Sequence, residues 1–213
     1  MKLHPDGWPY IAVTVALNAL LFALVGWWGL LAVPVSAWCI AFFRDPDRSI
    51  PDGHGLVVSP ADGVLLAPVQ AAPPAELGMG DVPLTRLSIF MNVFNVHVNR
   101  VPADGTVSAL SYRPGKFINA SFDKASEDNE RMSVRLRTAD GAELAFVQIA
   151  GLVARRIRCD LRRDQQVRRG ERFGIIRFGS RLDVYLPADA TVKVAKGQKI
   201  VAGETILAEL GKN

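Results

Sequence analysis

Within Arg177-Phe178-Gly179-Ser180-Arg181-Leu182-Asp183-Val184-Tyr185-Leu186-Pro187, a serine hydroxyl directly follows the carbonyl of a residue that has no side chain. Glycine tolerates strained dihedrals and leaves its carbonyl carbon open, so Ser180 Oγ can attack Gly179 if a base takes the proton and a donor steadies the oxyanion. The amide then becomes an ester. Elimination across the Ser180 side chain gives dehydroalanine, and hydrolysis of that group releases ammonia and leaves a pyruvoyl ketone at the head of a chain starting at position 180. Most Gly-Ser pairs are ordinary turn residues, so this chemistry needs companions.

The chain has three histidines, and His4 and His54 lie in Pro/Gly/Asp-rich turn sequence. His97 differs, because Phe90-Met91-Asn92-Val93-Phe94-Asn95-Val96-His97-Val98-Asn99-Arg100-Val101-Pro102 is an apolar stretch with partial alternation and reads as a mostly buried strand. It is either a core histidine bonded to backbone or a base held for Ser180. Asp62, in Ser59-Pro60-Ala61-Asp62-Gly63, is either a turn aspartate bonded to its own backbone or the group that supports such a base.

Together these pieces resemble the short bacterial and archaeal form of the phosphatidylserine decarboxylase family. The resemblance runs from Phe42-Phe43-Arg44-Asp45-Pro46 through Ser59–Gly63, Asn92–Pro102, Tyr112-Arg113-Pro114-Gly115-Lys116-Phe117, Asn119-Ala120-Ser121, Glu127-Asp128-Asn129-Glu130-Arg131 and Gln148-Ile149-Ala150-Gly151 to Phe173–Pro187. It implies a proenzyme cut between Gly179 and Ser180, with Asp62, His97 and Ser180 as a triad-like set. It also implies a covalent pyruvoyl cofactor derived from Ser180. That ketone would form a Schiff base with the substrate amine and accept the electron pair left by carbon dioxide, giving phosphatidylethanolamine, with His97 as proton donor. Lys116, Asn119, Glu130 and Arg131 lie in family-like words and are candidates for the head-group pocket. Longer members carry a second histidine in the His97 strand, and Arg100 stands there in this chain.

With 213 residues, 49% of them hydrophobic, the chain can bury one sizeable core. Cys39 and Cys159 have no metal-type spacing and suit a reducing compartment; no metal is expected. The net charge of +4 is uneven, because Arg155, Arg156, Arg158, Arg162, Arg163, Arg168, Arg169 and Arg172 crowd one segment. That segment is either a solvated hairpin or a surface for anionic phospholipid. Nucleic acid is disfavoured, since no aromatic residues interleave with these arginines.

The elements that must position these groups fall into two parts, residues 1–43 and 44–213. No charge occurs from Tyr10 to Phe43, a run too long for a signal-peptide core. Gly26, Gly29 and Pro34 offer breaks, so the run is a kinked span or a hairpin of two helices, with Trp8, Tyr10, Trp27, Trp28 and Trp38 as interfacial anchors. The expected location is the inner membrane, with the catalytic part on the cytoplasmic side.

Beyond Arg48, short apolar runs punctuated by Gly, Pro and Asp predict a mainly β, β-rich α+β domain. The expected strands are 56–58, 64–69, 85–91, 96–98, 106–112, 132–138, 143–149, 174–178, 182–186, 191–194 and 205–210. Met132, Val134 and Leu136 alternate with polar residues before Asp140-Gly141, which predicts a hairpin into Leu144 and Phe146. The run Val192–Thr205 looks like part of a biotinyl- or lipoyl-type barrel sandwich. Three alternatives stand beside the phosphatidylserine decarboxylase reading: an archaetidylserine decarboxylase acting on the ether-lipid form of the substrate, a membrane-anchored barrel-sandwich adaptor without catalysis, and a membrane serine hydrolase using Asp62, His97 and Ser180. No Gly-x-Ser-x-Gly elbow surrounds Ser180. If the chain is cut, fragments 1–179 and 180–213 are partners in a heterodimer, with a phospholipid as substrate.

Overall fold

The computed structural model describes residues 2–117, 128–151, 156–177 and 180–211. Contacts divide them into two units, one running to Asp47 together with Val93–Val96 and the other holding the remainder.

The first unit is a helical hairpin. Helix α1 (Trp8–Val25) begins with Pro9 in its first turn and ends at Gly26, whose φ of 60° suits glycine. A 3-10 segment over Gly26–Ala32 leads into α2 (Val33–Phe42), which again has a proline, Pro34, in its first turn. The sequence expectation of a break at the glycines is met at Gly26, and the two limbs return side by side. Asn18 Nδ2 donates to Ser36 Oγ between them, and Tyr10 stacks on Phe43 with ring centroids 5.4 Å apart.

The second unit is built from strands β1 (Leu56–Val58), β2 (Gly63–Leu65), β3 (Val69–Ala71), β4 (Leu84–Met91), β5 (Val98–Arg100), β6 (Gly105–Arg113), β7 (Arg131–Arg137), β8 (Glu143–Ala150), β9 (Ile157–Cys159), β10 (Gln166–Val167), β11 (Arg172–Ile176), β12 (Ser180–Leu186), β13 (Thr191–Val192), β14 (Lys199–Ile200) and β15 (Ile206–Glu209). The large antiparallel sheet runs β10-β6-β7-β8-β12-β4-β2-β14, with β3 also on β4. Two three-stranded sheets, β1-β15-β13 and β5-β11-β9, complete the unit.

One face of the large sheet supplies the core. Leu182, Val184 and Leu186 of β12 join Leu87, Ile89 and Met91 of β4 and Leu144 and Phe146 of β8. Phe146 meets Phe173 of β11 edge to face at 5.1 Å, which fastens the large sheet to the β5-β11-β9 sheet. The opposite face buries Tyr185, Ile149 and Val147 under Leu77.

The predicted β7–β8 hairpin is present, with Arg137 paired to Glu143 and Gly141 at φ 82°. Two expectations need correction. The run 64–69 is divided between β2 and β3, because Pro68 has no N–H for a ladder. The stretch 90–102 is two strands, with β4 ending at Met91 and β5 starting at Val98; between them Phe94 is 70% exposed. Strands β9, β10 and β14 are too short to show a period. The C-terminal strands form no separate barrel: β14 pairs with β2, and β15 with β1 and β13.

Candidate active site

Ser180 opens the central strand of the large sheet. Its backbone pairs with Met91 on one side and Ala150 on the other, and its residue is fully buried. Alternation along β12 puts its side chain on the face of Leu182 and Val184, toward the core. There the hydroxyl lies 3.8 Å from Met91 Sδ, a weak acceptor that leaves the Oγ lone pairs and proton easily redirected. Gly179 lies outside the described residues.

Met91 is the hub of a small polar cluster in this apolar wall. Asn99 Nδ2 of β5 reaches the same sulfur at 3.8 Å, and Gln148 Nε2 of β8 donates to Asn99 Oδ1 at 2.9 Å. Gln148 Nε2 also lies 3.3 Å from the Arg158 carbonyl. Its other amide atom, Oε1, is buried and accepts no hydrogen bond among the described residues. A buried acceptor without a donor is costly, so this oxygen is suited to receive an N–H or O–H from a bound group. Asn99, Gln148 and Met91 were not among the residues expected from sequence. The available signal was a lone amide inside each of two apolar runs, Val96–Val101 and Leu144–Ala150.

His97 is fully buried just ahead of β5, where its carbonyl accepts from Ile176 N at 3.4 Å. It stands two residues before Asn99 in the chain. Arg100 is spent elsewhere, since its Nη1 donates to the Gly170 carbonyl at 2.8 Å and its N–H to the Pro60 carbonyl at 2.9 Å.

Asp62 occupies the turn between β1 and β2. Ser59 Oγ organises that turn through the Ala61 carbonyl at 2.6 Å. The Asp62 carboxylate accepts from Arg48 Nη2 at 2.9 and 2.8 Å and from Ala202 N–H at 2.7 Å. Because β4 separates β2 from β12, Asp62 is two strands from Ser180, roughly 10 Å at the usual spacing. Any influence of Asp62 on Ser180 therefore passes through an intermediate group.

The four head-group candidates separate by sheet face. Asn119 lies outside the described residues. Ala150 N–H donates to the Glu130 carbonyl at 2.9 Å, which places Glu130 in the cross-sheet row that contains Ala150 and Ser180. Lys116 is bridged to Asn129, with an exposed ammonium 3.6 Å from Asp128. Arg131 pairs across β8 with Ile149, which pairs with Arg181. It therefore shares the Arg181 face, opposite to Ser180, where Glu76 clamps it at 2.8 and 2.9 Å. The parity of the ladder, invisible in sequence, decides this.

A mainly β protein with a buried serine at the first position of its central strand is the class that fold and site define. Residues 35–208 match the family model described as phosphatidylserine decarboxylase. The chain is 59% identical over 212 residues to a phosphatidylserine decarboxylase proenzyme of Paramagnetospirillum magneticum, covering 98% of this chain and 87% of that protein. It is 55% identical over 210 residues to the proenzyme of that name from Rickettsia bellii and 52% to that from Rickettsia typhi, each covering 99% of this chain and 91% of the relative. The chain belongs to the phosphatidylserine decarboxylase family.

Proposed function

We propose that this protein is a carboxy-lyase that converts phosphatidylserine to phosphatidylethanolamine after cutting itself between Gly179 and Ser180. The observation that carries the reading is the placement of Ser180: fully buried, central in the sheet, and with its hydroxyl 3.8 Å from the Met91 sulfur, in a chain whose relatives are named proenzymes. In the cut, Ser180 Oγ bonds to the Gly179 carbonyl carbon and the C–N bond breaks, leaving an ester. Loss of the Ser180 Cα proton then breaks the Cβ–O bond and frees the Gly179 carboxylate. Water finally replaces nitrogen at Cα, and ammonia departs.

The pocket suits the product of that change. The methyl takes the place of the serine Cβ and the ketone oxygen that of the backbone nitrogen, and the amides of Asn99 and Gln148 lie on the same side of the sheet pair. When present, the pyruvoyl group supplies an electron sink for the pair released with carbon dioxide. The chain's own residues do the rest. Burial around Ser180 and His97 excludes water that would otherwise solvate the substrate carboxylate. His97 takes the Ser180 hydroxyl proton during maturation and returns a proton to the substrate Cα in turnover. Asp62, fixed by Arg48 and the Ala202 N–H, is assigned to support that base. Glu130 and Lys116, with Asn119, are assigned to the head group.

The fragments are proposed to stay together as a heterodimer, because β12 is flanked by β4 and β8 along its length. The apolar hairpin supports a membrane location, and two free cysteines suit the cytoplasmic side of the inner membrane.

Intact mass spectrometry of the purified protein tests the cut. The expected masses are a fragment ending at Gly179 and an amine-blocked fragment beginning at 180. Carbon dioxide release from phosphatidylserine in detergent micelles tests the reaction. An intact chain with full activity, or full activity in Ser180→Ala, overturns the reading.

A further inference from the structure

The N-terminal hairpin carries an inference that is independent of the decarboxylase reading. A helix lying in the plane of a membrane surface needs a polar face. α1 has none: Val13, Val15, Leu17, Leu20, Leu21, Phe22, Leu24 and Val25 are all exposed large apolar side chains that at 100° per residue cover about 220° of the circumference, and Ala12, Ala16, Ala19 and Ala23 fill the remaining arc. No charged residue lies between Asp6 and Arg44. Such a surface is stable only when surrounded by hydrocarbon.

The two limbs also have matching lengths. α1, with 18 residues, is about 27 Å long at 1.5 Å per residue, against a bilayer core of about 30 Å. The returning limb is the 3-10 segment, about 14 Å at 2.0 Å per residue, followed by α2, about 15 Å long. The 3-10 segment runs back along α1, because a Cβ on Gly29 would collide with the backbone of Leu21 and Phe22. The ends then meet: Leu3 bridges to Arg44, and His4 N–H donates to the Phe43 carbonyl at 2.8 Å.

The charged residues sit at one end of the hairpin and an exposed tryptophan pair at the other. Lys2, Asp6, Arg44, Asp45 and Asp47 are gathered at the base, where Lys2 pairs with Asp47 at 2.9 Å. Trp27 and Trp28 stand at the tip, 79% and 76% exposed, and indole rings favour the water interface of a bilayer. Inside, the polar side chains that would meet hydrocarbon are satisfied within the hairpin, Asn18 by Ser36 and Thr14 by the Ile11 carbonyl at 3.0 Å.

We infer that residues 8–42 enter a phospholipid bilayer as a re-entrant hairpin: both ends stay on the side of insertion, and Trp27 and Trp28 reach the headgroup boundary of the far leaflet. The chain is thus anchored across the full hydrocarbon thickness without placing either end of the hairpin on the opposite side.

The test adds full-length protein, in a Cys39→Ser/Cys159→Ser background, to preformed sealed vesicles of phosphatidylcholine and phosphatidylglycerol. Single cysteines are placed by Leu3→Cys, Asp47→Cys and Trp28→Cys, with Trp27→Cys as a second tip position should the first tryptophan replacement fail to fold. A membrane-impermeant maleimide added outside is expected to label positions 3 and 47 fully and to leave the tip unlabelled. The same reagent trapped in the lumen is expected to label the tip alone. Labelling of 3 and 47 from opposite sides would mean a single span. A tip labelled from outside, or from neither side, would mean a surface or shallow hairpin; each of these results overturns the inference. The readout needs no enzymatic activity, so it stands or falls apart from the decarboxylase assay.

Discussion

Arg181 and Asp183 form a salt bridge with no exposure on either side chain, Nε to Oδ1 at 2.6 Å and Nη2 to Oδ2 at 2.8 Å, immediately after the serine proposed to be cut. Arg86 Nε lies 3.9 Å from the same carboxylate. Removing one partner of a buried pair costs about 3–5 kcal/mol, because the remaining charge has no solvent. Losing Asp183 takes the carboxylate from two guanidinium groups, whereas losing Arg181 leaves Asp183 beside Arg86. Urea unfolding of an uncut Ser180→Ala chain should therefore show Asp183→Asn more destabilising than Arg181→Met. Equal effects would mean that Arg86 does not share the carboxylate.

Gln148 Oε1 is an acceptor waiting for a donor. Gln148→Leu removes it and also gives up the Asn99 bond, so stability should change by less than about 1.5 kcal/mol. If the oxygen contacts the reacting head group, turnover should fall about 10- to 100-fold, the effect of losing a hydrogen bond to a charged group at about 1.5–3 kcal/mol. Unchanged kcat and KM would assign the amide to packing alone.

Glu76 and Arg131 give a pH dependence. Burial opposes ionisation of Glu76, but hydrogen bonds from Arg131, its own backbone and Ser133, with the Arg131 charge, win and hold the carboxyl below its ordinary value of 4.5. A depressed folded-state pKa stabilises the fold above the unfolded value, and that contribution disappears as pH falls through the folded one. The stability gap between Ser180→Ala protein and the same chain with Glu76→Gln should be full at pH 6 and shrink steadily below pH 4.5. A gap that is constant from pH 6 to 3 would exclude this linkage.

Cys159 should be a poor nucleophile. Burial pushes its thiol up to about 11, and Asp160 adds to the rise against a backbone hydrogen bond from Leu161. Iodoacetamide should modify it far more slowly at pH 7.5 than a free thiol, with the rate climbing toward pH 11. Fast labelling at neutral pH would contradict the burial.

Some of this was readable before any coordinates. Ser180 stands out because its chemistry depends on its immediate neighbour, and the β7–β8 hairpin because alternation and an Asp-Gly pair are local. The uncharged run after Asp6, with breaks offered at Gly26, Gly29 and Pro34, allows either a kinked span or a hairpin. What sequence conceals is register. Nothing local says that Met91, Asn99 and Gln148 meet, since they come from three strands whose pairing is set by the whole sheet. The same parity sends Arg131 away from Ser180 while its neighbour Glu130 stays in the serine's row. Arg48 is near Asp62 in sequence, yet only the fold of the intervening turn shows that it holds the carboxylate.

The central position of β12 has a consequence for the history of the molecule. While the chain is continuous, this strand reaches its slot between β4 and β8 at the high local concentration that a tether provides. If the peptide bond ahead of it is cut as proposed, denaturation releases a short piece that must find its counterpart by collision. Recovery becomes second order in protein and competes with aggregation, so assembly is easy once and difficult ever after.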